Sequence, residues 1–514
     1  MRSQGFAIRR DLASAADLVE GPKFSILLTA FLLLTLASWP ILLSFELWVI
    51  YDRGSLLNLD RLWSEGLTPA VDVFYSYGLL PVLLQRLAFT FGRGYWPMIV
   101  CTFLALPVLA LIWSVLLRRL PRSPGWMAAV ICCIPMILWV NPNFPYTLVL
   151  ISMFGALACV MEERADLALA LCAVGCWSVP SLPLILAALL LVFIVLRWRE
   201  SEDRSIASLL RAVAPGALSY VGLGLSLALV FGVQAVLNTA LPIRGAEFYS
   251  QRGWGLSSIV EFLKPQGAGI TWLLFTRSGW WIFSSVLLMA LALRDGTRMA
   301  RSGALDTRGC VVIILAVLHL AFVFIAPGSP QQHLVYDPIL VAGVLIGLSG
   351  LPVGKLRGGL LACFSLLALT GNAWQIRDTW RAWHQHASAE MAGLYATPEL
   401  TAEWQNIVRM SADNPLLLLT YGTGAHHYFP SIQSPRVWFL EVGQLLPGDK
   451  ARVLAQIQSA RIVVVGHDSH LEAYDPRFRD EVTAMCLIKV GKTYDIWQRR
   501  SSPDEKCAAP LEAS

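Results

Sequence analysis

Two carboxylates, Asp52 and Asp72, stand in a polar, aromatic stretch from Glu46 to Gly92 that directly follows the first long apolar segment. A carboxylate at the boundary of bilayer and water is placed to take a proton from a hydroxyl arriving from the aqueous side. Asp52 sits where the chain leaves the apolar segment, and base catalysis of transfer to a hydroxyl is the chemistry it suits. Its competing role is to cap the helix that follows, for which Ser55 is a rival. Asp72 begins the run Asp-Val-Phe-Tyr-Ser-Tyr-Gly shortly after Pro69. It either orients an acceptor or fixes the loop by bonding Tyr75 or a backbone amide.

Further candidates lie in later polar loops. Arg244, Arg252 and Lys264, with Arg277, belong to the stretch from Leu237 to Ser278 and are candidate anion-binding cations. His333, Tyr336 and Asp337 open a late apolar segment, where the residues by themselves fit an interfacial aromatic belt. His426, His427, His467 and His470, with Asp468, follow expected strands, but their spacing matches no known metal site. Gly422-Thr-Gly424 lacks the rest of a dinucleotide fingerprint. No metal ligand set and no cofactor is assigned, and a divalent metal is left open.

The elements that must hold Asp52 and Asp72 are two short helices. The first carries Leu56, Leu59, Leu62 and Trp63 on one face and ends at Gly66 and Pro69, with Asp60 and Glu65 on its solvated side. The second, Gly78 to Phe91, has about 14 residues, too few to cross a hydrocarbon core of roughly 30 Å, and is expected to lie along the interface.

The rest of the chain is apolar. With 514 residues, 56% of them hydrophobic, and a mean hydropathy of +0.58, it reads as a polytopic α-helical membrane protein. Apolar segments at 24–45, 96–117, 124–140, 146–161, 166–179, 181–197, 209–235, 277–293, 310–326, 335–351 and 357–373 give about eleven spans. Arg9, Arg10 and Lys23 precede the first, which reads as an uncleaved anchor. Arg118, Arg119, Arg122, Arg164, Arg197, Arg199, Arg294, Arg298, Arg301 and Arg308 all fall in alternate loops. The positive-inside rule then places the N-terminus in the cytoplasm and the Asp52 loop outside. Counting 78–91 as a span destroys that regularity.

After about Trp374 the hydropathy falls, and residues 374–514 read as a small soluble α/β domain on the outer face. A helical stretch from Trp374 to Met410 precedes strand-like runs at Leu416–Leu419, Val437–Leu440 and Ile462–Val465. A helix covers Lys450–Gln458, and a hairpin turns at Gly491-Lys492-Thr493. Of Trp374, Trp380, Trp383, Trp404, Trp438 and Trp497, one or two are expected to face a cleft. Among ten cysteines, only Cys486 and Cys507 lie outside the apolar segments, and a bridge between them is one of two open readings. The domain reading is thus 1–373 membrane-embedded, with external loop 46–93, and 374–514 external.

The positions Asp52, Gly66, Pro69, Asp72 and Gly78, in a loop after the first span, resemble the first external loop of GT-C glycosyltransferases. These are integral membrane enzymes that take a sugar from a polyprenyl-phosphate carrier. At Arg53 this chain departs from the second acidic position of many members, and a single-base mechanism needs only Asp52. The resemblance implies a GT-C-like fold in the bacterial cytoplasmic membrane. It implies a polyprenyl-phosphate-linked sugar as donor, a glycan, lipid or protein acceptor on the periplasmic side, contact with membrane lipid, and no nucleic acid. Asp52 would be the general base, with Asp72, His333, Tyr336, Arg244, Arg252 and Lys264 around the substrates. The alternatives are a transporter or lipid flippase, and a non-catalytic envelope scaffold.

Overall fold

The computed structural model describes residues 24–30, 32–33, 44–45, 49, 52–92, 95–138, 144–243, 277–325 and 330–512, apart from a few positions (387–388, 392, 422, 442, 468, 503–506 and 508–509). The chain divides into two compact units. One comprises Met1–Ala37, Met98–Ser226 and Trp254–Asp378, and the other Ser38–Pro97, Leu227–Gly253 and Thr379–Ser514. The polar stretch of the first loop therefore groups by packing with the C-terminal region.

The first unit is helical. Among the described residues four helices, Ile99–Leu117, Ser181–Glu200, Ile206–Phe231 and Lys355–Ala373, are long and apolar enough to cross a membrane. Two further helices, Thr307–Ile325 and Pro330–Ser349, have 19 and 20 residues, whereas Ala165–Cys176 has 12. About eleven spans remain an expectation.

The cationic turns of this unit meet one another. Arg118 pairs with Glu162, and Arg119 donates to the Met161 carbonyl. Arg197 donates to Thr307 Oγ1 at 3.0 Å, and Glu200 accepts from the Leu305 amide at 3.1 Å. Arg298 and Arg308 share Asp306. Turns that the charge pattern assigned to one side are therefore linked at one end of the helices. His319, the clearest polar residue in an apolar segment, is buried and bonds Ser285 Oγ through Nε2 at 2.8 Å.

The second unit is built on a six-stranded sheet. Its strands are β3 (Leu416–Leu419), β4 (Ile432–Gln433), β5 (Ile462–Gly466), β6 (Cys486–Val490), β7 (Tyr494–Gln498) and β8 (Leu511–Glu512), in the order β4-β3-β5-β7-β6-β8. A separate antiparallel pair, β1 (Ala389–Met391) and β2 (Leu394–Ala396), precedes them. It interrupts the helical stretch expected from Trp374 to Met410, which is helical up to His386 as the end of the helix Lys355–His386 and again in the helix Pro398–Asp413, capped by Thr397 Oγ1. β4, β3 and β5 run parallel, and β7 is antiparallel to β5 and β6. β3 is four leucines, all buried, as a strand covered on both faces requires. The hairpin and the helix Pro447–Ser459 lie where the sequence places them.

Val437–Leu440 is the correction. It is buried but not a strand, because its backbone bonds go elsewhere. Asn58 Nδ2 donates to the Pro435 and Val437 carbonyls at 3.1 and 2.7 Å, Thr423 Oγ1 donates to the Trp438 carbonyl at 3.0 Å, and the Leu440 amide donates to the Tyr421 carbonyl at 3.3 Å. Pro435 also has no amide to offer a ladder.

Cys486 and Cys507 form a disulfide with Cα atoms 5.2 Å apart, tying the tail to β6. The free thiols at 101, 132, 133, 159, 172, 176, 310 and 363 all belong to the other unit. A bridge closing 21 residues stabilises by about 3 kcal/mol in the chain-entropy view. Cys486→Ser is therefore expected to lower the unfolding midpoint of the second unit and to make it insensitive to reductant. An unchanged midpoint would show that the bridge constrains only a frayed tail.

Candidate functional site

The site is built on helix α1, Asp52–Ser64, which begins at the residue singled out for chemistry. It ends because Gly66 adopts φ +90°. The Leu67 amide bonds the Leu62 carbonyl at 3.0 Å and the Gly66 amide bonds the Trp63 carbonyl at 3.1 Å, the pairing of a Schellman stop that favours glycine. Leu56, Leu59 and Leu62 are buried, as the periodicity predicts, but so are Ser55, Leu57 and Asn58. The helix is therefore embedded on more than one side and does not lie as a simple amphipathic rod. Helix α2, Leu80–Phe89, has 10 residues, about 15 Å in length, too short to cross a bilayer.

The turn between the helices is held from within and from the C-terminal region. The Asp72 and Val71 amides bond the Thr68 carbonyl at 2.9 and 3.2 Å, and Asp72 Oδ2 accepts the Thr68 amide at 2.8 Å. Of the two roles read for Asp72, the geometry fits the fixing of the loop, through the Thr68 amide and not through Tyr75. Arg452 donates to the Asp72 carbonyl and to Asp449 Oδ1. Asp449 Oδ2 takes the Phe74 amide at 3.1 Å and the Leu446 amide at 2.8 Å. Burial raises the Asp449 carboxyl above the usual carboxylate range, outweighing these amides and Arg452.

The aromatic run beyond Asp72 packs onto Trp438. Its ring lies 4.8 Å from Tyr75 and 5.2 Å from Tyr77, both edge-on. Trp404 and Trp438 are fully buried, so neither supplies the cleft-facing platform expected of the tryptophans. The side chains of Trp374, Trp380 and Trp383 lie outside the described residues. Burial pushes the Tyr75 hydroxyl above its ordinary range, and that hydroxyl has no partner among the described residues.

A cleft of about 530 Å³ lies along the later turns of α1, closed opposite by Thr423, Gly424, His426 and His427. Asp60, read as a solvated residue, is part of its wall and pairs with Arg86 at 2.7 Å, its side chain only 15% exposed. Glu65 pairs with Arg436 at 3.0 Å and Arg61 at 3.5 Å. Arg61 Nε donates to Asn58 Oδ1 at 2.9 Å, and its Nη2 is buried with no partner among the described residues. Burial lowers the Arg61 pKa first, Glu65 opposes that, and Arg436 adds to it. His426 Nδ1 is 3.0 Å from the Ile432 carbonyl. A carbonyl has no proton to give, so Nδ1 is the donor, and in the neutral ring Nε2 keeps its lone pair.

Sequence reasoning missed this cleft because its two walls are more than 350 residues apart. The one signal was a polar face on α1, where Asp60 and Glu65 find partners outside the helix in Arg86 and Arg436. Of the other candidates, the side chains of Asp52, Arg53, His333 and Tyr336 lie outside the described residues, although Asp52 opens α1 and the histidine and tyrosine fall in helix Pro330–Ser349. Arg244, Arg252 and Lys264 lie outside them altogether. Asp337 is buried. Among the described residues no three His, Cys, Asp or Glu side chains are grouped to hold a metal, and His467 instead pairs with Asp495 at 3.1 Å.

No protein family, no curated protein and no solved structure matches this chain.

Proposed function

We propose that the protein is a membrane glycosyltransferase that moves a sugar from a polyprenyl-phosphate carrier to an acceptor on the outer face of the bacterial cytoplasmic membrane. The observation that carries the reading is the placement of Asp52. It opens a helix that follows an apolar segment and is built into a folded unit with the C-terminal α/β region, with a polar cleft on the same helix. A linker between spans would need none of this. The resemblance of the first loop to GT-C enzymes points the same way.

In the proposed step the acceptor hydroxyl attacks the anomeric carbon and its proton passes to the Asp52 carboxylate. The bond from that carbon to the phosphate oxygen breaks, and polyprenyl phosphate leaves. The leaving group is already an anion, so no second carboxylate need act as general acid, unlike a glycosidase. A single displacement inverts the anomeric centre. Arg244, Arg252, Lys264, His333 and Tyr336 are the proposed contacts to the carrier phosphate and sugar. No step is routed through a metal.

Two features support an outer location for the second unit. Its disulfide suits an oxidising compartment, and the linked cationic turns of the other unit suit the cytoplasmic side. The test is direct. Purified full-length protein, reconstituted with a polyprenyl-phosphate sugar labelled in the sugar and a membrane-envelope extract as acceptor source, should release polyprenyl phosphate and move label to a new product. A carrier that stays intact under these conditions rejects the reading.

A further inference from the structure

We infer that the cleft over α1 is a saccharide-binding site and that its occupant is the acceptor, a neutral glycan rich in hydroxyl groups; the word acceptor rests on the glycosyltransferase reading. The volume of about 530 Å³ falls in the range of roughly 300–1,000 Å³ found for small-molecule sites. What decides the ligand class is how the charges are used.

Every charged group on the wall already has a counter-ion. Asp60 is held by Arg86, and Glu65 by Arg61 and Arg436. A phosphate would have to take a guanidinium from a carboxylate, and a divalent cation would have to take a carboxylate from a guanidinium. Neither exchange is favourable when pairs at this depth are partly desolvated. What remains on offer is directional hydrogen bonding. The two carboxylates keep unused lone pairs, and His426 keeps one at Nε2.

Hydroxyl groups donate, so adjacent sugar hydroxyls match a wall of acceptors, and bonds to carboxylates are the stronger kind. Leu57, Phe89 and Pro430 supply the apolar part of the lining, suited to the C–H face of a ring and too small for an acyl chain. The donor fits less well. Its sugar carries a phosphate at the anomeric carbon, which would enter a cleft whose cations are already committed. The acceptor, uncharged until its hydroxyl attacks, has no such conflict.

Titration of the full-length protein in detergent tests this, with glucose, mannose, galactose and N-acetylglucosamine and their β-linked disaccharides as probes, and inorganic phosphate and magnesium chloride as competitors. At least one neutral saccharide should bind saturably, while phosphate and magnesium neither bind at the cleft nor displace it. Asp60→Asn should weaken binding about tenfold or more. Ser64→Trp serves as a second variant, which keeps the Asp60 carboxylate on Arg86 and removes only the Ser64 hydroxyl from it. It fills the cleft from an exposed position and should abolish binding without moving the thermal midpoint. Failure of every saccharide to bind, displacement by phosphate, or affinity unchanged in Ser64→Trp would overturn the inference. Saccharide binding without any transfer removes the enzymatic reading and leaves the cleft standing, and transfer insensitive to Ser64→Trp does the reverse.

Discussion

Asp52→Asn is expected to slow sugar transfer by about 10²- to 10⁴-fold, the contribution of a positioned general base. The substitution changes little volume and keeps a hydrogen-bonding side chain at the first position of α1. Expression, folding and carrier binding should therefore persist. A residue acting only as a cap would give the opposite pattern, with modest loss of stability and near-normal turnover. The measurement is the rate of polyprenyl-phosphate release with carrier saturating, paired with the thermal midpoint of the same preparation. Near-normal turnover would end the assignment of Asp52. Asp72 would make a poor substitute, because one of its carboxylate oxygens already closes the turn on the Thr68 amide.

The second large effect concerns folding. Asp449→Ala removes, in one change, the acceptor for the Phe74 and Leu446 amides and the counter-ion of Arg452. Breaking one side of a buried pair costs about 3–5 kcal/mol, and here the loss falls on the contact between the first loop and the C-terminal region. Amide exchange at residues 70–77 is expected to quicken by about a hundredfold or more as that contact opens. Unchanged exchange at Phe74 would show that the Trp438 packing suffices without Asp449. The pH dependence has a definite sign. Burial holds the folded-state pKa of Asp449 above its unfolded value, so the folded state binds the proton more tightly. Its contribution is then fullest below the unfolded value and falls as pH rises through the folded one. Mild acid, to about pH 4, should leave this wild-type contact intact.

These expectations divide according to where their information lies in the chain. The first short helix was readable together with its stop, because the spacing of Leu56, Leu59 and Leu62 and the glycine at 66 are local signals. The helix Pro447–Ser459, the buried strand of leucines at 416–419 and the hairpin around Gly491 were legible for the same reason. The cysteine arithmetic narrowed a bridge to one pair, and the structure closed it. Val437–Leu440 was misread because its apolar composition satisfies a strand, whereas its carbonyls are taken by Asn58 and Thr423.

What the sequence by itself determined is the apolar helical character, the alternation of cationic turns, and the position of Asp52 at the head of a short helix. Each depends on periodicity or composition within a few turns of chain. Only the tertiary structure decided that the first loop folds with residues 379–514, that Asp72 fixes a turn, and that Asp60, Glu65 and Arg61 share a cleft with His426. Nothing local distinguishes a carboxylate facing water from one facing a guanidinium contributed from elsewhere in the chain. Arg86 is 26 residues from Asp60, Arg436 comes from the far end of the sequence, and pairing at such separation is set by how the unit closes around its core.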